Sequence, residues 1–134
     1  MPSSAPVDVI REMYAAFEAV DVEAALALLD DEIVIAQDPA LPWGGRFEGK
    51  AGALDFFAAL VGSIDSKVTK LALYGAADQV VQYGRTIGTV RATGVAFDVA
   101  ECHVWTVRDG LAVRGEFIID SAAMLAALEE PAQL

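Results

Sequence analysis

The 134-residue chain carries 20 acidic and 9 basic residues, giving a net charge of −11 and a pI near 4.2. This acidity argues against nucleic acids and anionic membranes as partners, because binding either requires a basic face. At 55% apolar, the chain can build a hydrophobic core. One domain is predicted over 1–134, with loose tails at 1–6 and 130–134.

Three helices and one strand are predicted in the first half. Apolar residues at helical spacing indicate a helix over 7–20, and Asp21 suits the N-cap of a second helix, "VEAALALL". The β-branched "EIVIA" predicts a strand at 32–37. A third helix is predicted at 50–63, with these apolar residues on one face: Leu54, Phe57, Ala58 and Val61.

The stretch "AQDPALPWGGRFEG", residues 36–49, interrupts this pattern with prolines, glycines, an Asp and a Trp. It is either a structural corner or the rim of a pocket lined by Asp38 and Trp43. Asp-Pro often opens a turn, so Asp38 has an ordinary structural explanation as well as a functional one.

The second half alternates and is rich in Val, Thr and aromatic residues, which predicts strands at 67–75, 79–92, 95–108 and 111–119. Asp109-Gly110 is a strong hairpin signal. The last helix is "DSAAMLAAL", with Asp120 as its N-cap. Helices followed by a strongly curved, mainly antiparallel sheet indicate an α+β fold shaped as a cone, and such a cone commonly encloses a ligand pocket.

Cofactor motifs are not evident. One His, one Cys and scattered carboxylates lack the spacing of a metal site, and no glycine-rich phosphate loop is present. We therefore expect neither a metal nor an organic cofactor. The lone Cys102 cannot form an internal disulfide, and the N-terminus lacks a signal-peptide pattern, so a cytoplasmic location is expected.

Four stretches together resemble the nuclear transport factor 2-like superfamily, and within it the SnoaL-like and ketosteroid-isomerase-related proteins. They are "YAAFEAVDVEAALALLDDEIVIAQDPA", "PWGGRFEGKAGALDFFAAL", "HVWTVRDGLAV" and "DSAAMLAAL". The resemblance implies the cone-shaped α+β fold described above. It also implies functions that range from isomerases and cyclases to non-catalytic binders, so individual residues must decide the activity.

The resemblance assigns Asp38 to the position of the isomerases' general base, where an apolar environment would raise its pKa. The oxyanion-binding Tyr position of the isomerases falls on Met13, one residue before Tyr14. Their second oxyanion donor falls on Cys102, and the aspartate of the SnoaL cyclases falls on Phe117. Asp38 thus keeps a catalytic identity, whereas three partner positions are altered.

The single histidine, His103, matches a His of the cyclases. On strand 95–108 it shares a face with Glu101 and Trp105, while Cys102 lies on the opposite face. Small and apolar neighbours favour the Cys102 face as the inner one, which would turn His103 outward toward a homodimer interface on the sheet. The alternative is a His103 that faces the pocket.

We therefore predict a small-molecule pocket protein that transfers a proton on an apolar cyclic carbonyl compound. Asp38, His103 and Tyr14 are the predicted catalytic residues. The predicted substrate contacts are Met13, Trp43, Phe57, Cys102 and Phe117. The alternatives are a non-catalytic binder of a small apolar ligand and a dimeric interaction domain of the same fold.

Overall fold

A computed structural model describes residues 5–132, apart from the side chains of residues 70 and 71. The helices are α1 (Pro6–Glu18), α2 (Val22–Ala27), α3 (Gly49–Ser63) and α4 (Ser121–Glu129). The strands are β1 (Leu29–Gln37), β2 (Gly45–Glu48), β3 (Ile64–Ala76), β4 (Gln79–Val90), β5 (Ala96–Arg108) and β6 (Leu111–Ile119). None of the described helices is both long and apolar enough to cross a membrane.

The strands form one curved, open sheet in the order β2-β1-β6-β5-β4-β3. Neighbouring strands are antiparallel except β1 and β6, which run parallel. Short links between consecutive strands dictate the antiparallel pairing. Strands β1 and β6 can pair in parallel because they are far apart in the sequence and no short link joins them. The predicted α+β architecture, with N-terminal helices on a mainly antiparallel sheet, is confirmed.

Local sequence signals fixed several element ends as expected. Asp109 and Gly110 have φ of 53° and 77°, the left-handed values that a two-residue hairpin of this type requires. Asp21 caps α2 by accepting a hydrogen bond from the Ala24 amide at 3.0 Å. Asp120 caps α4 in the same way through the Ala123 amide at 3.1 Å.

Two predictions in the first half require correction. The stretch 36–49 contains strand β2, which pairs with β1 and was expected to be loop. Helix α3 packs inward through Ala53 and Phe56, while Leu54 and Val61 of the predicted apolar face are exposed. The α3 sequence is apolar on nearly every side, so periodicity does not identify the buried face.

The predicted tails are only partly described. Residues 1–4 and 133–134 of the predicted tails lie outside the described residues. Pro6, predicted to be part of the N-terminal tail, begins α1, as a proline in the first helical turn commonly does.

The inner face of the sheet, defined as the face packed against α1 and α3, carries Glu101, His103 and Trp105 of β5. Trp105 and His103 contact the Tyr14 hydroxyl of α1, and Glu101 contacts His103. The expectation that the Cys102 face points inward is therefore wrong. Burying the Trp105 indole is worth on the order of 4 kcal/mol, more than the small residues of the opposite face could gain.

Candidate functional site

A buried polar cluster lies between α1 and the inner face of β4 and β5. We define it as Tyr14, Gln82, Glu101, His103 and Trp105. Strand alternation places Glu101, His103 and Trp105 on one face of β5, and Gln82 lies directly opposite His103 on β4. The structure thus brings Tyr14 and His103 together, two of the three predicted catalytic residues.

A chain of contacts links four members of the cluster. The Trp105 indole Nε1 donates to the Tyr14 hydroxyl oxygen at 3.0 Å. The same hydroxyl lies 2.7 Å from His103 Nδ1. His103 Nε2 lies 3.1 Å from Glu101 Oε2, although this contact does not have the geometry of a well-formed hydrogen bond.

The donors and acceptors determine the direction of this chain. An indole N–H only donates, so the Tyr14 oxygen accepts from Trp105 and its proton is directed to His103 Nδ1. His103 Nε2 then carries the ring proton and presents it to the Glu101 carboxylate. This assignment makes His103 a neutral imidazole, with its tautomer inferred from its neighbours.

Burial shifts the pKa of each titratable group in the cluster. The Glu101 side chain is 0% exposed, and this desolvation raises its pKa from 4.5 to about 7, partly offset by the Gln82 amide. Desolvation lowers the pKa of His103 from 6.5 to about 3. It also raises the pKa of Tyr14, which therefore remains a hydroxyl donor.

Gly84 makes room for the Glu101 carboxylate. A Cβ on Gly84 would lie 2.8 Å from Glu101 Oε1 and 2.1 Å from the Thr69 carbonyl oxygen. Gly84 and Glu101 are direct cross-strand partners, so a side chain on Gly84 would collide with the Thr69 backbone and crowd the carboxylate. The cluster consequently holds a carboxylate that is close to half ionised at neutral pH, as a general base requires.

The environment of Asp38 differs from the prediction. Its side chain is exposed and accepts a hydrogen bond from the Ala40 amide at 2.9 Å, as an Asp-Pro turn opener does. This amide, followed by the Ser121 hydroxyl, lowers the pKa of Asp38, whereas desolvation was expected to raise it. The structural-corner alternative describes the geometry of this residue, and its role as a base stays a prediction.

Trp43 is also placed differently. Its ring is 1% exposed, and its Nε1 donates to Gln37 Oε1 at 2.8 Å, so it anchors the corner instead of covering an opening. A surface depression of about 470 Å³ is lined by Asp31, Glu32, Val34, Glu48 and Gly49. A continuous apolar cavity beside Asp38 was expected, and neither described depression touches that residue.

The other predicted substrate contacts separate into two groups. Met13 and Phe117 are buried, and Phe57 is partly buried, with its ring centroid 6.4 Å from that of Phe117. The Phe117 ring centroid lies 4.7 Å from that of His103. Cys102 instead lies on the outer face of the sheet, between the exposed Tyr83 and Ile118, away from the buried cluster.

Sequence reasoning missed Glu101 and Gln82 as site residues. Glu101 carried a usable signal, because it sits two positions before His103 on the same strand face. Gln82 carried none, since its proximity to His103 depends on the β4–β5 register.

Comparisons with known proteins agree with this architecture. The sequence profile of the SnoaL-like domain family matches residues 10–115. No functionally curated protein matches the chain. A nuclear transport factor 2-like protein from Burkholderia thailandensis E264 is similar at 27% identity and a TM-score of 0.89, over 95% of this chain and 99% of that one.

Two further structures are similar over nearly their full lengths. TerC, co-crystallised with polyporic acid, is 26% identical with a TM-score of 0.85, over 95% of this chain and 100% of TerC. A protein with a ketosteroid isomerase-like fold from Catenulispora acidiphila DSM 44928, in complex with trimethylamine, is 17% identical. Its TM-score is 0.79, with 96% of each chain covered. These similarities confirm the predicted fold.

Proposed function

This chain belongs to the SnoaL-like domain family, and we propose that it is a cofactor-independent enzyme that transfers a proton on an apolar cyclic carbonyl compound. The observation that supports this proposal is the buried Glu101 carboxylate, held beside a neutral His103. A carboxyl group with a pKa near 7 in a desolvated place suits proton abstraction at neutral pH.

In the proposed reaction Glu101 acts as the base. Its carboxylate takes a proton from the carbon next to the carbonyl group, and the C–H electron pair forms a carbon–carbon double bond. The carbonyl π pair moves to oxygen, giving an enolate. Where the substrate carries a carbon–carbon double bond β,γ to the carbonyl, this enolate is a dienolate. The Glu101 carboxylic acid then returns the proton to the γ carbon, the double bond shifts into conjugation, the carbonyl re-forms and the carboxylate is regenerated.

His103 and Tyr14 act through Glu101. Both nitrogens of His103 already have neighbours in the cluster, so the imidazole orients the carboxylate and Tyr14 fixes the imidazole. These are positioning roles, as second partners commonly have in acid–base sites. Met13, Phe57 and Phe117 would supply the apolar wall for the ring of the ligand.

Access and relatives also support a ligand at this place. The His103 side chain retains 13% exposure, so solvent reaches the cluster at that residue. The similar TerC structure was obtained with polyporic acid. Polyporic acid is therefore a first probe for binding to this chain.

The test is deuterium exchange into cyclic ketones such as 1-tetralone, followed by proton NMR in D₂O. The exchange needs no knowledge of the natural substrate, because it reports proton removal next to any carbonyl group. We expect the protein to accelerate loss of the signal from the carbon beside the carbonyl. No acceleration with any cyclic ketone, together with tight binding of polyporic acid, would favour a non-catalytic binder.

A homodimer through the sheet is a second proposal, supported by a different observation. The outer face presents a cross-strand row of Tyr83, Cys102 and Ile118, of which Tyr83 is 47% and Ile118 54% exposed. Exposed apolar patches of this kind mark interaction surfaces. The dimer interface is therefore proposed on this row and not on the face that carries Glu101, His103 and Trp105.

Sedimentation velocity tests the dimer. We expect a dimeric mass for the wild type and a monomeric mass for Tyr83→Glu and Ile118→Glu, because each introduces a charge into the buried apolar contact. Leu54→Glu, at an exposed apolar residue of α3, serves as the matched control and should remain dimeric. A monomeric wild type would contradict the proposal.

A further inference from the structure

Unpaired buried polar atoms are concentrated at one point of the fold. Among the described residues, the buried side-chain atoms without a well-formed hydrogen bond are Gln82 Nε2 and Oε1 and Glu101 Oε1 and Oε2. Both residues belong to the polar cluster and lie on the inner face of the sheet. Glu101 Oε2 has the His103 Nε2 atom 3.1 Å away, whereas the other three atoms have no such neighbour among the described contacts. Native proteins rarely leave such groups unpaired, so these three atoms require an explanation.

The rest of the cluster shows that the chain can satisfy buried polar groups here. Tyr14, His103 and Trp105 hydrogen-bond to one another within the same layer. Elsewhere, the Gln37 amide oxygen accepts from the Trp43 indole. Gln82, by contrast, is 0% exposed and neither end of its amide makes a well-formed hydrogen bond, although the amide lies close enough to Glu101 to lower the pKa of that carboxyl.

We propose that Gln82 and Glu101 form a buried subsite for a neutral ligand group in which a hydroxyl lies next to a carbonyl. The Gln82 amide offers one donor and one acceptor in a single plane, which matches a carbonyl oxygen and an adjacent hydroxyl. Glu101, whose Oε1 is also without a well-formed hydrogen bond, would take the proton from the carbon beside those oxygens. The assignment of this ligand class rests on the proposed proton transfer, whereas the subsite itself rests on the unpaired atoms.

Charge favours a neutral ligand over a carboxylate. Five arginines pair with exposed acidic side chains, namely Arg11, Arg46, Arg85, Arg108 and Arg114, and Arg91 donates to the Val61 carbonyl oxygen. Among the causes that shift the pKa of Glu101, burial and Gln82 appear and no cation does. A second carboxylate next to Glu101 would therefore meet repulsion without a described counter-ion.

The first test is the stability of Gln82→Met without ligand. Because the native amide is unpaired, an apolar side chain of similar length should leave the melting temperature unchanged or raise it. Gln37→Met is the matched control, and it should lower the melting temperature by about 2–5 °C, since it strips the Trp43 indole of its acceptor. A loss in Gln82→Met as large as that in Gln37→Met would overturn the proposal, because Gln82 would then be a structural residue.

The second test is binding of two probes by isothermal titration calorimetry. Wild type should bind 2-hydroxy-1-tetralone about tenfold more tightly than 1-tetralone, and Gln82→Met should reduce this preference to about twofold or less. Equal affinity of wild type for the two probes would overturn the proposal. If the wild type prefers 2-hydroxy-1-tetralone but does not accelerate deuterium exchange, the result would support the subsite and contradict only the proposed enzymatic function.

Discussion

Replacing Glu101 by Gln is expected to lower the rate of deuterium exchange next to a carbonyl group by about 10²–10⁴-fold. The substitution keeps the shape of the side chain but removes the group that accepts the proton. Since burial raises the pKa of Glu101, its charged form opposes folding, and the neutral variant should remain folded. Exchange of the 1-tetralone protons, measured by NMR at pH 7.5, gives the rate.

Asp38→Asn is the matched control for this experiment. Asp38 is exposed at a turn, so its replacement should change the exchange rate by about twofold or less. The opposite pattern, with Asp38→Asn inactive and Glu101→Gln active, would contradict the assignment of the base. It would instead support the role that the resemblance assigned to Asp38.

The second large effect is an opposite dependence of stability on pH in two variants. In Glu101→Gln, the free energy of unfolding should increase by about 1.4 kcal/mol for each pH unit between pH 4.5 and 6. In His103→Gln, it should decrease by about the same amount for each unit between pH 5 and 6.5. Urea unfolding at a series of pH values measures both slopes relative to the wild type.

The signs follow from the two pKa shifts. His103 has a lowered pKa in the folded state. Its contribution to the free energy of unfolding is therefore complete above pH 6.5 and is lost as the pH falls toward 3. Glu101 has a raised pKa, so its contribution is complete below pH 4.5 and is lost as the pH rises through 7. In the wild type the two contributions oppose each other between pH 4.5 and 6.5. Slopes equal to the wild type in both variants would show that neither group is buried as described.

Much of the fold was predictable because local rules and the overall architecture agree. The Asp109-Gly110 hairpin and the caps at Asp21 and Asp120 each depend on one residue and its neighbours. The buried face of α3 was not predictable, because nearly all of its residues are apolar. Strand β2 was missed because its formation depends on pairing with β1, and a four-residue segment has too short a pattern to predict that pairing.

The candidate site was predictable only in part. Tyr14 and His103 were identified from the resemblance, and the structure places them in contact. The orientation of β5 was predicted incorrectly, because small apolar residues at Ala100, Cys102 and Val104 were weighed above the large area of Trp105. Asp38 illustrates a further limit: matching a motif position did not determine its burial, and burial governs whether a carboxylate becomes a base.

The central claim is that burial keeps His103 neutral and Glu101 near half ionisation at neutral pH, and NMR titration of the two side chains tests it most directly. With ¹⁵N-labelled histidine and ¹³C-labelled glutamate, His103 should remain neutral from pH 5 to 9. Its Nε2 should carry the proton, and the Glu101 carboxyl carbon should titrate with a pKa of about 7. A His103 that titrates near 6.5 together with a Glu101 that titrates near 4.5 would contradict the account.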